Sequence, residues 1–246
     1  MAKVIYTGAE DSGKSYQLAL RAGKLVERNA RWLRLTGKPR PIASNLEFQP
    51  WFEQMSQDLG VPIVYWKDLE QLPHMGGCDL IMDEMGTYFD SRTFKDLPLD
   101  VRLWVAQASK LGTDIYGSAQ DFAQIDVSFR RLVKGPTNGL FLITKLVGSD
   151  RPHPTKPPVS KVWGVCMMRE LDSMKLNQDS SQFAAVGLPH FFVLRKEICN
   201  IFDTTKRIAK SAPVPYKHIE RFCTDPNCDF KKNKIVSGRH VLVSHV

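Results

Sequence analysis

A glycine-rich segment near the start of the chain constrains its fold more than any other feature. It follows a short run of β-forming residues, 3–7, and precedes a long stretch with helical periodicity. Its two glycines allow the main chain to turn tightly. The backbone amides and the positive end of the next helix then point toward the same anion-binding position. This pattern predicts a phosphate-binding loop between a strand and a helix. The loop residues are Gly8, Ala9, Glu10, Asp11, Ser12, Gly13, Lys14 and Ser15.

Two side chains of this loop indicate chemistry on a nucleoside triphosphate. Lys14 is placed to reach the β- and γ-phosphate oxygens, and the Ser15 hydroxyl is placed to ligate Mg²⁺. We therefore predict that ATP and Mg²⁺ bind here. Glu10 and Asp11 are unusual beside phosphates, because like charges repel, and they are tolerable only if both carboxylates point outward.

Polar residues follow two further strand-like runs. The apolar run 78–82 ends at Asp83 and Glu84, and the run 113–119 ends at Gln120. Asp83 is predicted to hold Mg²⁺ through water, and Glu84 to orient and deprotonate an attacking water. Because ligands of parallel sheets bind at the carboxyl ends of the strands, we expect these residues to meet the phosphate loop.

Alternating strand and helix patterns predict an α/β fold of the P-loop NTPase type, with a mostly parallel central sheet covered by helices. Residues 1–210 are expected to form this domain, with a β-hairpin insertion at about 139–170 and a basic C-terminal tail over 211–246. The expected strands are 3–7, 41–48, 62–66, 78–82, 113–119, 140–147, 162–168 and 190–194. The expected helices are 13–37, 51–59, 99–111 and 122–133. The tip of the hairpin is expected over 148–158, and residues 172–183 are expected to be irregular.

The charge of the chain is unevenly distributed. Residues 1–127 carry 14 basic and 17 acidic side chains, whereas residues 128–246 carry 20 and 9. A basic second half predicts a polyanionic partner such as nucleic acid, although a basic composition is also common in proteins without one. Helical spacing in residues 13–37 also predicts a stripe of basic side chains along one face of the helix. This stripe either tracks a phosphate backbone or is only solvated. Its residues are Arg21, Lys24, Arg28, Arg31, Arg34 and Lys38.

Membrane insertion and secretion are not indicated by the pattern of the chain. No apolar run approaches the ~18 residues of a spanning helix, and the first strand leaves no room for a signal peptide. The five scattered cysteines fit a reducing compartment, and Cys78, Cys166 and Cys199 lie in apolar runs as buried side chains. We therefore expect a cytoplasmic protein, in the host cell if the chain is viral, with peripheral membrane contact as a further option.

The tail contains a second, weaker pattern. Cys223, Cys228, His240 and His245 approach the spacing of a zinc site with two cysteines and two histidines, one residue short in the middle gap. The two histidines lie in a strand-like stretch, so a basic exposed tail is the alternative interpretation.

The order of the motifs resembles a known family. Besides the phosphate loop, the chain has 40–45 (Arg-Pro-Ile-Ala-Ser-Asn), 80–84 (Leu-Ile-Met-Asp-Glu), Gly112 leading to Gln120, and 124–133 with its Gln-Ile-Asp, Arg130 and Leu-Val. Together with 201–205 (Ile-Phe-Asp-Thr-Thr), these are similar to the N-terminal ATPase domain of zonular occludens toxin and the gene I assembly proteins of filamentous bacteriophages. That group belongs to the FtsK/HerA-like DNA-translocating ATPases.

The resemblance implies a ring-shaped homo-oligomeric motor that moves viral DNA during packaging or virion assembly. It implies that Gln120 senses the γ-phosphate and that Arg130, or its neighbour Arg131, neutralises transition-state charge in the next subunit. A capsid or membrane assembly partner is also implied. The chain departs from the family in having Ser109 and Lys110 before Gly112, and in lacking the membrane-spanning helix of the phage assembly proteins.

Two other functions remain open from the sequence. A phosphate-loop kinase of nucleotides or small molecules is one, although the chain lacks an arginine-rich lid and has a glutamate beside the magnesium aspartate. The other is a host-directed effector that keeps the fold without hydrolysis. A GTP switch is disfavoured, because no D-x-x-G follows Asp83 and the stretch 144–147 lacks the aspartate that reads guanine.

Overall fold

The strands of the chain form one mixed sheet. The computed structural model describes residues 2–10, 12–131, 133, 139–148, 162–172, 185–195, 198 and 200–202. The strands are β1 (Lys3–Thr7), β2 (Ile42–Ser44), β3 (Ile63–Tyr65), β4 (Asp79–Met82), β5 (Asp114–Ala119), β6 (Gly139–Gly148), β7 (Val162–Leu171) and β8 (Ala185–Arg195). The helices are α1 (Lys14–Thr36), α2 (Pro50–Asp58), α3 (Met85–Tyr88), α4 (Leu99–Gln107) and α5 (Val127–Arg130), with 3₁₀ turns at Leu69–His74, Phe94–Asp96 and Phe122–Gln124.

The strand order is β3-β2-β4-β5-β1-β6-β7-β8. All neighbours from β3 to β6 run parallel, and β6, β7 and β8 form an antiparallel extension. The predicted α/β class with a mostly parallel sheet is therefore confirmed, as is the pairing of the two arms of the predicted hairpin. Strand β5, which leads to Gln120, pairs directly with β4, which leads to Asp83 and Glu84.

Side-chain alternation along the parallel strands builds a core on each face of the sheet. Leu80 and Ile115 belong to the apolar cluster under α4, and their neighbours Ile81 and Tyr116 belong to the cluster under α1. Successive residues of a strand point to opposite faces, so strands covered on both sides are apolar throughout. The sheet is thus held between helices, which leaves its carboxyl-end edge for polar residues.

The long helix α1 begins and ends close to its predicted limits. Gly13 precedes it with φ 101°, and Gly37 ends it with φ 68° while donating its N–H to the Leu33 carbonyl oxygen at 2.8 Å. Glycine adopts such left-handed conformations without the steric cost that a Cβ would bring. The two glycines therefore fix both ends of the helix.

The predicted helix over 122–133 is wrong. The chain forms a 3₁₀ turn and then the short α5, because two aspartates start separate turns. The Asp121 carboxylate accepts a hydrogen bond from Ala123 N, and the Asp126 carboxylate accepts one from Ser128 N. Such side chains cap new turns and compete with a continuous helix.

Two other elements are shorter than predicted. Helix α4 ends at Gln107 instead of residue 111. Strand β2 ends at Ser44 instead of residue 48, because the Ser44 hydroxyl accepts from Leu46 N at 3.0 Å and donates to Leu46 O at 2.8 Å. This local turn takes the chain away from the sheet.

The antiparallel extension packs onto the start of α1. The Tyr16 hydroxyl donates to the Val193 carbonyl oxygen at 2.9 Å, and the Tyr16 ring stacks on Phe192 with centroids 5.7 Å apart. A Cβ built on Gly13 would lie 3.3 Å from a methyl carbon of Leu194. Strand β8 thus supports the helix that follows the phosphate loop.

A network of charged side chains lies where β4 and β5 begin, at the end of these strands away from the phosphate loop. Fully buried Asp79 contacts the guanidinium groups of Arg28 at 2.5 Å and Arg40 at 3.1 Å, and Asp114 contacts the same two groups at 3.3 and 3.2 Å. Burial opposes the charge of Arg28, but the attraction and hydrogen bond of Asp79 outweigh it and raise the pKa of Arg28. The network joins α1 to the beginnings of β4 and β5.

This network changes the interpretation of the predicted basic stripe. Arg28 is committed to Asp79, and the guanidinium of Arg21 lies over the Tyr116 ring at 5.1 Å from its centroid. Lys24, Arg31, Arg34 and Lys38 are exposed. The solvent-facing basic surface is therefore smaller than the spacing predicted.

Some predictions fall outside the described residues. These include the hairpin tip over 149–158, the irregular segment over 173–183, Asp203 to Thr205, Cys199, the tail over 211–246, and the zinc candidates Cys223, Cys228, His240 and His245. Within the described part of the chain, Cys78 and Cys166 are buried free thiols, and burial raises the pKa of Cys78 to about 12. Over the same part, no helix has both the length and the apolarity that crossing a membrane requires.

Candidate nucleotide-binding site

The phosphate loop connects β1 to α1 at the carboxyl end of the strand. The Lys14 ammonium donates to the carbonyl oxygens of Gly8 at 2.8 Å and Ala9 at 2.6 Å, which folds its side chain back over the loop. The Ser12 hydroxyl is buried in the loop with no hydrogen-bond partner among the described residues. The Glu10 side chain is exposed, as the sequence required, and Asp11 lies outside the described residues.

Gly8 allows the phosphate loop to pass directly over β6. A Cβ built on Gly8 would lie 2.2 Å from the Ile143 carbonyl oxygen, and the φ of Gly8 is 146°. We expect Gly8→Ala to destabilise the fold by about 1–3 kcal/mol and to weaken ATP binding. Urea unfolding and ATP titration measure the two effects.

Gly23 provides the matched control for this substitution. It lies inside α1, and a Cβ built there meets no heavy atom within 4 Å. Gly23→Ala should therefore stabilise the protein by about 0.5–1 kcal/mol, because alanine loses less entropy in a helix. If Gly8→Ala were as stable as the wild type and bound ATP normally, the close approach to β6 would be irrelevant to the site.

Ser15 and Asp83 lie side by side where α1 begins and β4 ends. The Ser15 hydroxyl donates to Asp83 Oδ2 at 3.3 Å. The other carboxylate oxygen of Asp83 accepts a short hydrogen bond from the Ser118 hydroxyl. The structure thus brings together the two residues that the sequence predicted as magnesium ligands.

Glu84 has an unusual main-chain conformation. Its φ of 52° and ψ of 48° lie in the left-handed region, and it is the one non-glycine with positive φ among the described residues. This conformation costs a non-glycine residue roughly 1–2 kcal/mol. Such strain is found preferentially at functional sites, where the surrounding structure maintains it.

Glu84 and Gln120 line the same cleft, which has a volume of about 550 Å³. The cleft walls are otherwise mostly polar, from Gly86, Thr87, Asp90, Ser91, Arg92, Asp121, Ala123 and Gln124. The main chain of Gln120 also contacts the phosphate loop, because its carbonyl oxygen accepts from Gly8 N at 3.4 Å and from the Thr7 hydroxyl at 3.3 Å. Gln120 thus connects the cleft to the loop, although neither Asp83 nor any loop residue is among the described residues that line the cleft.

Arg130 does not join this group. It is not among the described residues that line the cleft, and its guanidinium lies 5.7 Å from the centroid of the Phe122 ring. Its Nε is buried without a hydrogen-bond partner in the described part of the chain, whereas Arg131 is exposed. The predicted role of either arginine in a neighbouring subunit stays a prediction.

The residues present fit a magnesium nucleotide. The Ser15 hydroxyl and the Asp83 carboxylate are hard oxygen donors, which Mg²⁺ prefers, and Mg²⁺ sites in such proteins are completed by phosphate oxygens and water. The buried Ser12 hydroxyl, which has no hydrogen-bond partner among the described residues, adds a polar group to the loop. Among the described residues, no cluster of three or more His, Cys, Asp or Glu side chains is arranged for a metal ion.

Three residues of the site were not predicted from the sequence. Ser118 lies one residue before the end of a strand of small and apolar residues, although it shares a face with Gln120 two positions later. Asn45 was noticed only as part of a motif, yet its side chain binds the main chain of Asp83. Arg92, which lines the cleft, follows a stretch without periodicity and left no signal in the sequence.

Comparison with solved structures finds chains of similar arrangement. The N-terminal domain of zonular occludens toxin from Neisseria meningitidis is 16% identical, covers 82% of this chain and 98% of its own, and has a TM-score of 0.45. The genome packaging NTPase B204 from Sulfolobus turreted icosahedral virus 2, in complex with ATP-gammaS, is 17% identical, covers 57% and 72%, and has a TM-score of 0.36. The same NTPase in complex with AMP is 15% identical, covers 61% and 76%, and has a TM-score of 0.37.

No family model matches the chain, and no curated protein matches it. The assignment of each site residue therefore depends on the contacts described above.

Proposed function

We propose that the protein is an ATP-hydrolysing motor that moves viral or phage DNA during genome packaging or virion assembly. The observation that carries the hydrolytic part is the meeting of three strand ends. Ser15 contacts Asp83 at 3.3 Å, and the main chain of Gln120 contacts Gly8 at 3.4 Å. A phosphate loop, an acidic pair and a polar amide at one edge of a parallel sheet form a site for phosphoryl transfer to water.

Each residue has a distinct role in this proposal. Lys14 leaves the loop carbonyls and binds phosphate oxygens, while loop amides hold the same group. Ser15 and Asp83 hold Mg²⁺, which when bound neutralises charge on the β- and γ-phosphates. Glu84 accepts the proton of the attacking water, and Gln120 orients that water or the terminal phosphate from the next strand.

The motor part of the proposal depends on the sequence motifs and on charge. Residues 120–133 resemble the corresponding stretch of the DNA-translocating ATPases, and residues 128–246 carry 20 basic against 9 acidic side chains. Hydrolysis in such motors is completed by an arginine from a neighbouring copy, which is the role proposed for Arg130 or Arg131. A capsid or membrane assembly partner would receive the DNA.

Removal of the Lys14 ammonium tests the nucleotide site. We expect Lys14→Ala to reduce ATP turnover to the assay background and to weaken ATP binding, because no other described loop side chain carries a positive charge to the phosphates. The assay is ATP hydrolysis with and without single- and double-stranded DNA. Lys95→Ala, which changes an exposed lysine in a 3₁₀ turn, is the matched control and should leave turnover unchanged.

The same assay separates the motor from the alternatives. Stimulation of the wild type by DNA, together with ATP-dependent assembly seen by native mass measurement, is the expected result. Turnover that required a small-molecule acceptor would instead identify a kinase. A wild-type protein that neither binds nor hydrolyses ATP would contradict the proposal.

A further inference from the structure

The acidic pair is held by two side chains, that of Asn45, which directly follows β2, and that of Ser118 in β5. Strand β4 extends toward the site beyond the end of β2, so the main chain of Asp83 has no regular strand partner on that side. The Asn45 side chain replaces that partner. Its amide nitrogen donates to the Asp83 carbonyl oxygen at 3.0 Å, and its amide oxygen accepts from Asp83 N at 2.8 Å.

Ser118 provides the second support, from the β5 side. Its hydroxyl accepts a hydrogen bond from Glu84 N at 3.1 Å and donates one to the Asp83 carboxylate. One hydroxyl has a single donor and two acceptor positions, so both bonds can form at once. Ser118 is fully buried, so a group that lost either hydrogen bond would have no water to replace it, and the energetic cost would be larger than at the surface.

We propose that Asn45 and Ser118 are positioning residues that hold Asp83 and Glu84 in the geometry required for ATP hydrolysis, an inference that depends on the proposed function. Ser118 binds one carboxylate oxygen of Asp83, which leaves the other directed at Ser15. Its bond to Glu84 N helps hold the left-handed turn, after which Glu84 lines the cleft with Gln120. Neither residue contacts the phosphate loop in any hydrogen bond described here.

A merely structural role predicts a different outcome from a positioning role. Any buried serine that loses its hydrogen bonds lowers stability, whatever its distance from the site. A positioning residue also lowers kcat and metal affinity while leaving the affinity for free nucleotide nearly intact, because Lys14 and the loop amides are untouched. The supports of metal ligands typically contribute 10- to 100-fold to metal affinity or activity.

The test compares Ser118→Ala and Asn45→Ala with Ser56→Ala. Ser56 is also fully buried and donates to the Val61 carbonyl oxygen at 2.7 Å, within α2 and its following turn. We expect both site variants to lower kcat by about 10- to 100-fold and to weaken Mn²⁺ binding in the presence of a non-hydrolysable ATP analogue by a similar factor. The Ser56→Ala variant should have a lower Tm than the wild type but the same kcat and the same Mn²⁺ affinity. Ser118→Thr, which restores the hydroxyl, should recover most of the ATPase activity.

Mn²⁺ binding by electron paramagnetic resonance needs no hydrolysis, so it separates this inference from the proposed function. If the wild type hydrolyses ATP and both alanine variants match it in kcat and Mn²⁺ affinity, the positioning role is wrong and the proposed function stands. If the wild type binds no nucleotide, both are wrong. Should the variants fail to fold, rapid amide exchange at Glu84 in the folded wild-type protein would still overturn the inference, and slow exchange would support it.

Discussion

Replacing Glu84 with glutamine is expected to lower ATP turnover by roughly 10²- to 10⁴-fold while leaving ATP binding intact, because a general base contributes about this much. Glutamine preserves the size of the side chain that lines the cleft but cannot take a proton from water. Turnover is measured at saturating ATP, and binding by titration with a fluorescent analogue. Glu70→Gln, at an exposed position in a 3₁₀ turn, should behave as the wild type.

The main-chain conformation of Glu84 adds a second expectation to the same experiment. Asparagine tolerates left-handed φ and ψ better than glutamate or glutamine. The inactive Glu84→Asn variant should therefore be more stable than Glu84→Gln by about 1 kcal/mol, which corresponds to about 2–4 °C in Tm for a domain of this size. A stability gain accompanied by loss of activity would indicate that the strain is retained for function.

Two results would contradict this account. Normal turnover in Glu84→Gln would exclude Glu84 as the base. Equal melting of the Gln and Asn variants would show that the left-handed conformation at residue 84 carries no measurable cost.

Replacing Asp79 with alanine is expected to destabilise the protein by roughly 3 kcal/mol, because it removes a fully buried carboxylate that pairs with the largely buried Arg40 and the half-exposed Arg28. Asp79 is fully buried and accepts hydrogen bonds from Arg28, Arg40 and Asn29. Without it, two guanidinium groups retain only Asp114 as a carboxylate partner among the described residues. Urea unfolding followed by circular dichroism gives the free energy of unfolding.

Asp58 provides the control for this substitution. It is exposed at the end of α2, where its carboxylate accepts only from the Gln54 amide at 2.8 Å among the hydrogen bonds described. Asp58→Ala should change stability by less than about 0.5 kcal/mol.

Asp79 begins β4 and Asp83 follows its end, so folded Asp79→Ala protein should hydrolyse ATP normally at low temperature. If Asp79→Ala lowered the free energy of unfolding by less than 1 kcal/mol, the attraction of Asp79 for the two arginines would only balance the cost of burying its charge.

The central sheet could be predicted from the sequence because its signals are local. Strands covered on both faces are continuous apolar runs, and the phosphate loop is specified by eight consecutive residues. The carboxyl ends of those runs then placed Ser15, Asp83 and Gln120 at one edge without knowledge of the strand order. The roles of Lys14, Glu84 and Gln120 stay predictions until the variants are measured.

The remaining features depend on pairs that are distant in the chain or on competition between local structures. Helical periodicity placed Arg28 in a basic stripe that either tracks a phosphate backbone or is only solvated, but its partner Asp79 lies 51 residues away and is identified only by the fold. The supposed helix over 122–133 has suitable periodicity, yet the caps of Asp121 and Asp126 divide it. Likewise, the main chain at Asp83 and Glu84 is held by Asn45 and Ser118, which are distant in the chain, so no single stretch of sequence encodes the turn.

The packing of β8 on Tyr16 also has a consequence for how the protein is made. The hydroxyl of Tyr16 and the carbonyl of Val193 are 177 positions apart, so a ribosome must release almost the whole sheet before this contact can form. A nascent chain that stops before β8 lacks these contacts with the first turn of α1. We therefore expect ATP-binding competence to arise late in synthesis, which would keep incomplete chains from consuming nucleotide.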